Sequence, residues 1–197
     1  MMNNLMASIE YDGTMFKGSQ MQPNARTVQG SFNQALSLIH NKDISSEFAS
    51  RTDSGVHAFK QVVSFKSNLK MSNKTWTESL NYNLPNDIRV FKCNAIEYNF
   101  DVRRDAVERE YLYKIIFGDW ISPIEYNYYE HVNEKLNFDD LESVKKTFIG
   151  KHDFLSFTGR LLPKNANTIR EINRIDFKFS DRVIKITIAA KSFLYQQ

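Results

Sequence analysis

The sequence predicts an α+β protein built from two tandem ferredoxin-like βαββαβ modules with mainly antiparallel sheets. Two observations lead to this prediction: strand and helix patterns follow one another as βαββαβ in the first half of the chain, and the same series begins again in the second half. The second series stops after βαββ. Because each sheet must bury its apolar face, we expect the second module to be truncated at its C-terminus, either because the polypeptide is a fragment or because a partner supplies the cover.

The first module is predicted from residues 1–98 and carries the candidate site described below. Apolar and polar residues alternate over residues 5–11, the pattern of a half-buried strand, and Asp12-Gly13 ends it. Thr27 precedes an apolar helical stripe that starts at Val28, so Thr27 is the predicted N-cap of the first helix. The remaining elements are predicted strands over residues 44–50, 61–65 and 88–93 and a helix over residues 75–82 that Pro85 stops.

The second, incomplete module is predicted from residues 99–197, with a joining segment around residues 95–109. Residues 111–117 form a predicted strand, and Asn137 caps a predicted helix that Gly150 closes. Residues 174–179 and 183–190 flank Ser180-Asp181 and are typical of a β-hairpin.

Composition limits the possible partners and compartment. The chain has 197 residues with 26 Lys and Arg against 23 Asp and Glu, a net charge of +3 that allows a phosphate-rich partner without requiring one. Its one cysteine, Cys93, rules out an internal disulfide and favours a reducing compartment. The sequence has no basic N-terminal region followed by an apolar run, and no apolar run of membrane-spanning length. We therefore expect a cytoplasmic protein without membrane association.

Metal and cofactor sites are not predicted. The four histidines are isolated from one another, and none has a second ligand at the i, i+4 spacing of a helical metal site. The sequence also lacks phosphate-binding glycine loops and the GxSxG nucleophile motif. We therefore expect chemistry that uses neither a metal nor a cofactor.

The segment SRTDSGVHA, residues 50–58, is the strongest candidate site. If its backbone is extended, Arg51 and Asp53 project to the same side, and the guanidinium holds the carboxylate ionised and oriented. Gly55 allows a sharp turn with positive φ that presents Asp53 at a cleft. The residue types alone fit two interpretations equally well: a structural Arg–Asp pair beside a glycine turn, or an active-site loop.

Six motifs in the chain follow the pattern of one known family in the same order. Segment 50–58 is similar to the family's GRTDAGVHA signature, and residues 11–30 are similar to its N-terminal pattern. The other matches are LPNDIRV at 84–90 to LPxDIRV, EYLY at 110–113 to KxYxY, DFLSF at 153–157 to DFxSF, and SFLY at 192–195 to the start of GFLYxxVRNIVG. By these motifs the chain resembles the TruA family of tRNA pseudouridine synthases over nearly its whole length.

The chain departs from the family pattern at several positions. Ser50 and Ser54 replace the usual Gly and Ala of the signature, and Ser19 stands where a Trp is common. Asp101 replaces the His of the family's FHAR segment. The VRN segment expected after Tyr195 is absent, which agrees with the truncation predicted from the order of elements.

The resemblance implies that the protein isomerises uridine to pseudouridine at positions 38, 39 and/or 40 in the anticodon stem-loop of tRNA, without a cofactor. The uracil of a flipped nucleotide is detached at N1, rotated and rejoined to the ribose through C5. By the family match Asp53 is the catalytic carboxylate, attacking either the sugar or the pyrimidine ring, and Arg51 positions it. Tyr111 lies against the flipped base and removes the C5 proton, although a strand aromatic that packs inward is the alternative interpretation. His57 is expected to be a structural hydrogen-bonding residue of the loop.

Substrate binding is expected to rest on phosphate contacts and RNA shape. The predicted substrate-binding residues are Tyr111, Arg26, Arg103, Arg104, Lys60 and Arg160. The resemblance also implies a homodimer whose joint cleft holds the tRNA. The alternative function is that of a homologue or truncated fragment that binds RNA but is catalytically silent, because the missing block contributes a basic residue beside the carboxylate.

Overall fold

The computed structural model describes residues 3–134, 136–158 and 166–194, in two compact units that divide between Ala106 and Val107. The elements of the first unit are β1 (Asn3–Tyr11), α1 (Val28–His40), β2 (Ser46–Phe48), β3 (Ala58–Ser67), α2 (Asn73–Asn83) and β4 (Ile88–Ile96). The strands form one sheet in the order β2-β3-β1-β4, and every neighbouring pair is antiparallel. This order of elements and strands confirms the ferredoxin-like fold predicted for the first module.

Both helices of the first unit begin at a capping side chain. The Thr27 hydroxyl accepts a hydrogen bond from the Gly30 amide at 3.1 Å, which confirms Thr27 as the N-cap of α1. The Ser72 hydroxyl caps α2 by accepting the Thr75 amide at 3.1 Å. The core that the helices share with the sheet includes Leu5, Ile9, Phe32, Leu36, Val63, Phe65, Trp76 and Leu80. Burial of these side chains fixes the strand ends from which the loops extend.

The second unit contains a five-stranded sheet within its described residues. Its elements are β5 (Arg109–Phe117), β6 (Glu130–Val132), α3 (Phe138–Phe148), β7 (Gly150–Asp153), a 3-10 helix (Leu155–Phe157), β8 (Ile169–Ser180) and β9 (Val183–Ala190). The strand order is β6-β5-β9-β8-β7, antiparallel except for the parallel pair β5–β6. The series β5-α3-β8-β9 confirms the predicted βαββ order, and Asn137 caps α3 as predicted, by accepting the Asp139 amide.

The observed elements differ from the predicted ones mainly at their ends. The strand predicted over residues 44–50 is β2, which pairs with β3 only from Ser46 to Phe48. β8 begins at Ile169 rather than at residue 174, because a bulge between Ile172 and Arg174 interrupts the alternation of apolar residues. The sequence pattern does not predict β6 and β7, since strands of 3 and 4 residues are too short to show a period. None of the helices in the described ranges is long and apolar enough to cross a membrane.

Candidate active site

Residues 49–57 form the loop between β2 and β3, and Asp53 lies exposed at its turn. The Val56 amide donates a hydrogen bond to the Asp53 carbonyl at 3.3 Å, and Gly55 between them has a φ of 81°. This left-handed conformation favours glycine and confirms the sharp turn predicted there. The loop backbone therefore presents the Asp53 side chain to solvent.

Thr52, the residue before Asp53, is held at three atoms by the segment around β1. The Ser19 amide donates to the Thr52 carbonyl at 3.0 Å, and the Thr52 amide donates to the Ser19 hydroxyl oxygen at 2.8 Å. The hydroxyl groups of Thr52 and Tyr11 share a hydrogen bond of 2.8 Å. Ser19 is only 1% exposed, so these bonds are protected from water. They fix the backbone immediately before the Asp53 side chain.

The other side of the turn is held by the segment that follows β1. The Phe16 carbonyl accepts the Gly55 amide at 3.2 Å and the Ser54 hydroxyl at 3.3 Å. Two glycines allow the segment after β1 to lie this close to the loop. A Cβ on Gly13 would lie 2.0 Å from the Val56 carbonyl oxygen, and a Cβ on Gly18, whose φ is 92°, would lie 2.9 Å from the Thr52 carbonyl oxygen. Any side chain at Gly13 would therefore push the loop away.

His57 joins the end of the loop to the end of β1. Its Nδ1 lies 3.1 Å from the Gly13 amide nitrogen and 3.2 Å from Asp12 Oδ1. The two contacts require different protonation states, because an unprotonated Nδ1 accepts from Gly13 whereas a protonated Nδ1 donates to Asp12. Asp12 Oδ1 also accepts the Thr14 amide at 2.9 Å. Either state gives His57 the structural role expected from the sequence.

Arg51 is exposed, and no ion pair joins it to Asp53 in the described part of the chain. The ion pair predicted from an extended backbone is therefore not formed in this structure. Residues 51–53 belong to no strand, and the bonds between Ser19 and Thr52 hold the backbone just before Asp53. The role of Arg51 in positioning Asp53 stays a prediction.

Arg26, a predicted phosphate contact, forms a bidentate ion pair within the first unit. Its two terminal nitrogens donate to the Asp87 carboxylate at 2.7 and 2.8 Å, and its guanidinium lies 4.0 Å from the centre of the Phe16 ring. The hydrogen bond to Asp87 raises the pKa of Arg26. The Phe16 carbonyl accepts hydrogen bonds from the Asp53 loop, so Arg26 packs against a residue that holds this loop.

The other predicted cations lie at different places in the chain. Arg103 donates through Nε to the Phe48 carbonyl at 3.2 Å, and Arg104 lies 3.6 Å from Asp101 with its side chain 88% exposed. Lys60 is exposed on β3. Arg160 lies outside the described residues. Their contacts with a substrate stay predictions.

Tyr111 is half-buried on β5 in the second unit, opposite Ile188 of β9. Its ring meets that of Phe193 edge to face, with the ring centres 4.9 Å apart. This contact fixes the plane of the phenol ring while leaving part of it accessible. Its predicted position against a base stays a prediction.

A metal-binding cluster is not formed by the described residues, since no three His, Cys, Asp or Glu side chains lie together there.

Comparison with known proteins identifies the family. A family model described as tRNA pseudouridine synthase matches residues 7–105 and 144–197. The chain is 36% identical over 194 residues to tRNA pseudouridine synthase A of Thermoanaerobacter sp. (strain X514), and the match covers 98% of this chain and 79% of that protein. It is 35% identical over 196 residues to the protein of the same name from Borreliella burgdorferi, covering 99% and 79%.

A third relative is tRNA pseudouridine synthase A 2 of Clostridium perfringens, at 34% identity over 194 residues with 98% of this chain and 79% of that protein covered. The family match includes the loop with Asp53 and its supporting segment around Ser19. The match covers most of the chain and of these relatives. The chain therefore belongs to the tRNA pseudouridine synthase family.

Proposed function

We propose that this protein is a tRNA pseudouridine synthase that isomerises uridine in the anticodon stem-loop, at tRNA positions 38, 39 and/or 40. One observation carries the proposal for the site: Asp53 lies exposed at a turn whose neighbouring residues are bonded on both sides to the segment after β1. A backbone held in this way fixes the position from which the carboxylate extends, so only the side-chain rotamer of Asp53 remains to be ordered when the substrate arrives. Family membership supplies the reaction type.

In the proposed reaction the target nucleotide first leaves its stack, which costs on the order of a few kcal/mol. The Asp53 carboxylate then attacks the sugar or the pyrimidine ring, and the bond between N1 and the ribose C1′ breaks. After attack on the sugar, C5 of the rotated uracil displaces the carboxylate from C1′; after attack on the pyrimidine ring, C5 bonds to C1′ and the bond between the ring and the carboxylate is then eliminated. In both cases Asp53 is regenerated, and N1 takes up a proton in place of the ribose. The proton on C5 is finally transferred to a base, and we assign this step to the Tyr111 phenol. No net oxidation occurs, so the chemistry requires no redox cofactor.

The reaction is tested by tritium release from tRNA that contains 5-tritiated uridine. An active synthase releases tritium to water, because the C5 proton leaves when the new bond is complete. We expect release from the anticodon stem-loop and none when uridines 38–40 are replaced by cytidine. A protein that shifts tRNA on a gel but releases no tritium would instead be the catalytically silent RNA-binding homologue.

Tyr111→Phe is expected to lower turnover by about 10²- to 10⁴-fold, the range typical of a lost acid–base group. The phenylalanine ring retains the edge-to-face contact with Phe193, so tRNA affinity and thermal stability are expected to stay near those of the wild type. Tyr82→Phe, at a tyrosine 89% exposed on α2, is the matched control. Tritium release and tRNA binding measure the two effects. Wild-type turnover in Tyr111→Phe would assign the proton transfer to another group.

Ser19→Ala is expected to lower kcat by about tenfold to a hundredfold through misplacement of the Asp53 loop. The change removes the acceptor of the Thr52 amide at 2.8 Å while keeping the backbone bond at 3.0 Å. KM for tRNA is expected to change little, since Ser19 is 1% exposed and does not reach the substrate. Ser37→Ala on α1 is the control. A rise in KM with unchanged kcat would contradict a positioning role.

We further propose that the enzyme acts as a cytoplasmic homodimer and that Arg26, Arg103, Arg104, Lys60 and Arg160 contact tRNA phosphates. The family resemblance supports the dimer, and the single buried cysteine suits a reducing compartment. Light scattering is expected to give twice the chain mass of 23.0 kDa.

A further inference from the structure

The second unit carries a row of three lysines across three neighbouring strands. Lys114 of β5 lies opposite Lys185 of β9, and Lys185 lies opposite Lys178 of β8. Side chains directly opposite one another on antiparallel strands share a face, with Cβ atoms about 4.5–5.5 Å apart, and like charges placed in this way repel. We call these three residues the lysine row. Since strands lie about 4.8 Å apart, the row spans about 10 Å.

The lysine row has no acidic partner. Across residues 3–134, 136–158 and 166–194, no salt bridge joins any of the three amines to a carboxylate. The nearest carboxylates along the same face of β5 and β8, Glu110 and Asp176, both pair with Arg174. Burial and the charge of Lys185 lower the pKa of Lys114. Among the described residues, the three amines of the lysine row therefore have no carboxylate that neutralises them.

Aromatic side chains lie beside the lysine row, next to β5. The Lys114 amine lies 4.5 Å from the centre of the Tyr129 ring and 5.7 Å from that of Tyr128. In the β8–β9 turn, the Arg182 guanidinium lies 4.9 Å from the centre of the Trp120 ring, which is 63% exposed. We call these four residues, Tyr128, Tyr129, Arg182 and Trp120, the aromatic flank. Cations beside accessible ring faces are the combination that binds phosphates and unstacked bases together.

We propose that the lysine row and the aromatic flank form a binding surface for the sugar–phosphate backbone of the tRNA substrate. This inference rests on the proposed function, which supplies a polyanionic substrate. The lysine row fits a phosphate backbone because three amines without acidic partners gain most from a polyanion that neutralises them together. A protein partner would need a matching row of acidic groups, whereas RNA brings one charge per nucleotide along its whole length. The family match over 7–105 and 144–197 leaves out β5 and the aromatic rings of this surface.

The test uses the full chain with Lys178→Gln and Lys185→Gln combined, compared with Lys146→Gln and Lys151→Gln. Both pairs are exposed lysines of the second unit, and both changes remove the same charge. The binding constant for tRNA is measured over a range of salt concentrations. The slope of log K against log salt is negative, and each lost phosphate contact makes it less steep by about 0.9 on a duplex or 0.7 on a single strand. We expect the steepness of the slope to decrease by about 1.4 to 1.8 in total for the first variant, whereas the control retains the wild-type slope.

A second measurement separates binding from folding. Removing like charges from the lysine row is expected to leave Tm equal to or above that of the wild type, so weaker binding in a fully folded variant supports the proposal. A variant with the same salt slope as the control would overturn it. If the wild-type protein binds tRNA and the lysine variant binds it with the same affinity and salt slope, only the proposal for this surface is rejected. Wild-type protein that binds no tRNA removes the proposed function as well.

Discussion

Asp53→Asn is expected to abolish pseudouridine formation while leaving tRNA affinity within about twofold of the wild type. Asparagine has nearly the shape of aspartate but cannot act as an anionic nucleophile, so the covalent step is lost. The turn is expected to persist, since the bonds around Asp53 use its carbonyl and the neighbouring Thr52 and Gly55 amides rather than the carboxylate. Tritium release measures turnover, and filter binding measures affinity.

The control for Asp53→Asn is Asp43→Asn, which removes the same charge from an exposed site outside the loop. We expect wild-type turnover from this control. If Asp53→Asn shows more turnover than trace wild-type enzyme in the preparation could account for, Asp53 is not the nucleophile. Lost tRNA binding would indicate instead that the carboxylate is needed for the structure of the loop.

Gly13→Ala is expected to destroy activity by displacing the loop as a whole. The new Cβ would lie 2.0 Å from the Val56 carbonyl oxygen and 2.4 Å from its carbon, both backbone atoms that cannot move without the loop. The bond from the Gly13 amide to His57 at 3.1 Å is expected to break at the same time. Overpacking of this kind costs about 3 kcal/mol, which for a chain of this size lowers Tm by about 6 to 12 °C.

Gly55→Ala is the matched comparison, because Gly55 needs a positive φ but has no atom within 4 Å of the new Cβ. Its expected cost is the conformational strain alone, about 1–2 kcal/mol, and therefore a smaller fall in Tm. Differential scanning calorimetry compares the two variants. Equal Tm values would show that the loop yields freely at Gly13 and that its close approach to β1 is not required.

The order of elements could be predicted from the sequence because the long strands and helices each show a periodic pattern of apolar residues, and the helices also begin at capping residues. Thr27 and Asn137 stand where the helices α1 and α3 begin, and the alternation over residues 5–11 covers most of β1. The bulge in β8 could not be predicted, because the extra residue between Ile172 and Arg174 resembles a break in the strand. The short strands exist only through pairing with longer neighbours, and local sequence does not encode that pairing.

The candidate site also depends on contacts between distant residues, which the local sequence does not encode. The loop and its glycine turn could be identified from residue types, but the ion pair expected between Arg51 and Asp53 is not formed. That expectation rested on the spacing of the two residues alone, whereas the loop is held by bonds between Ser19 and Thr52 that the spacing does not show. In the sequence Ser19 is only a departure from the family pattern, and neither its burial nor its hydrogen-bond partner can be predicted from the residues around it. A small hydroxyl residue beside the left-handed Gly18 is the one local signal that could have suggested a close backbone contact.

The anchors of the Asp53 loop also determine when the site comes into existence during folding. Ser19 and Thr52 are separated by 33 positions, and Gly13 and His57 by 44, so none of these bonds forms within a local segment. The chain must first bring β1 and β3 together and bear the entropy of closing the intervening loops. Nucleophile geometry is therefore a property of the completed first unit alone. Newly made or partly unfolded molecules remain chemically inert toward RNA, and specific activity becomes a direct measure of the native fraction.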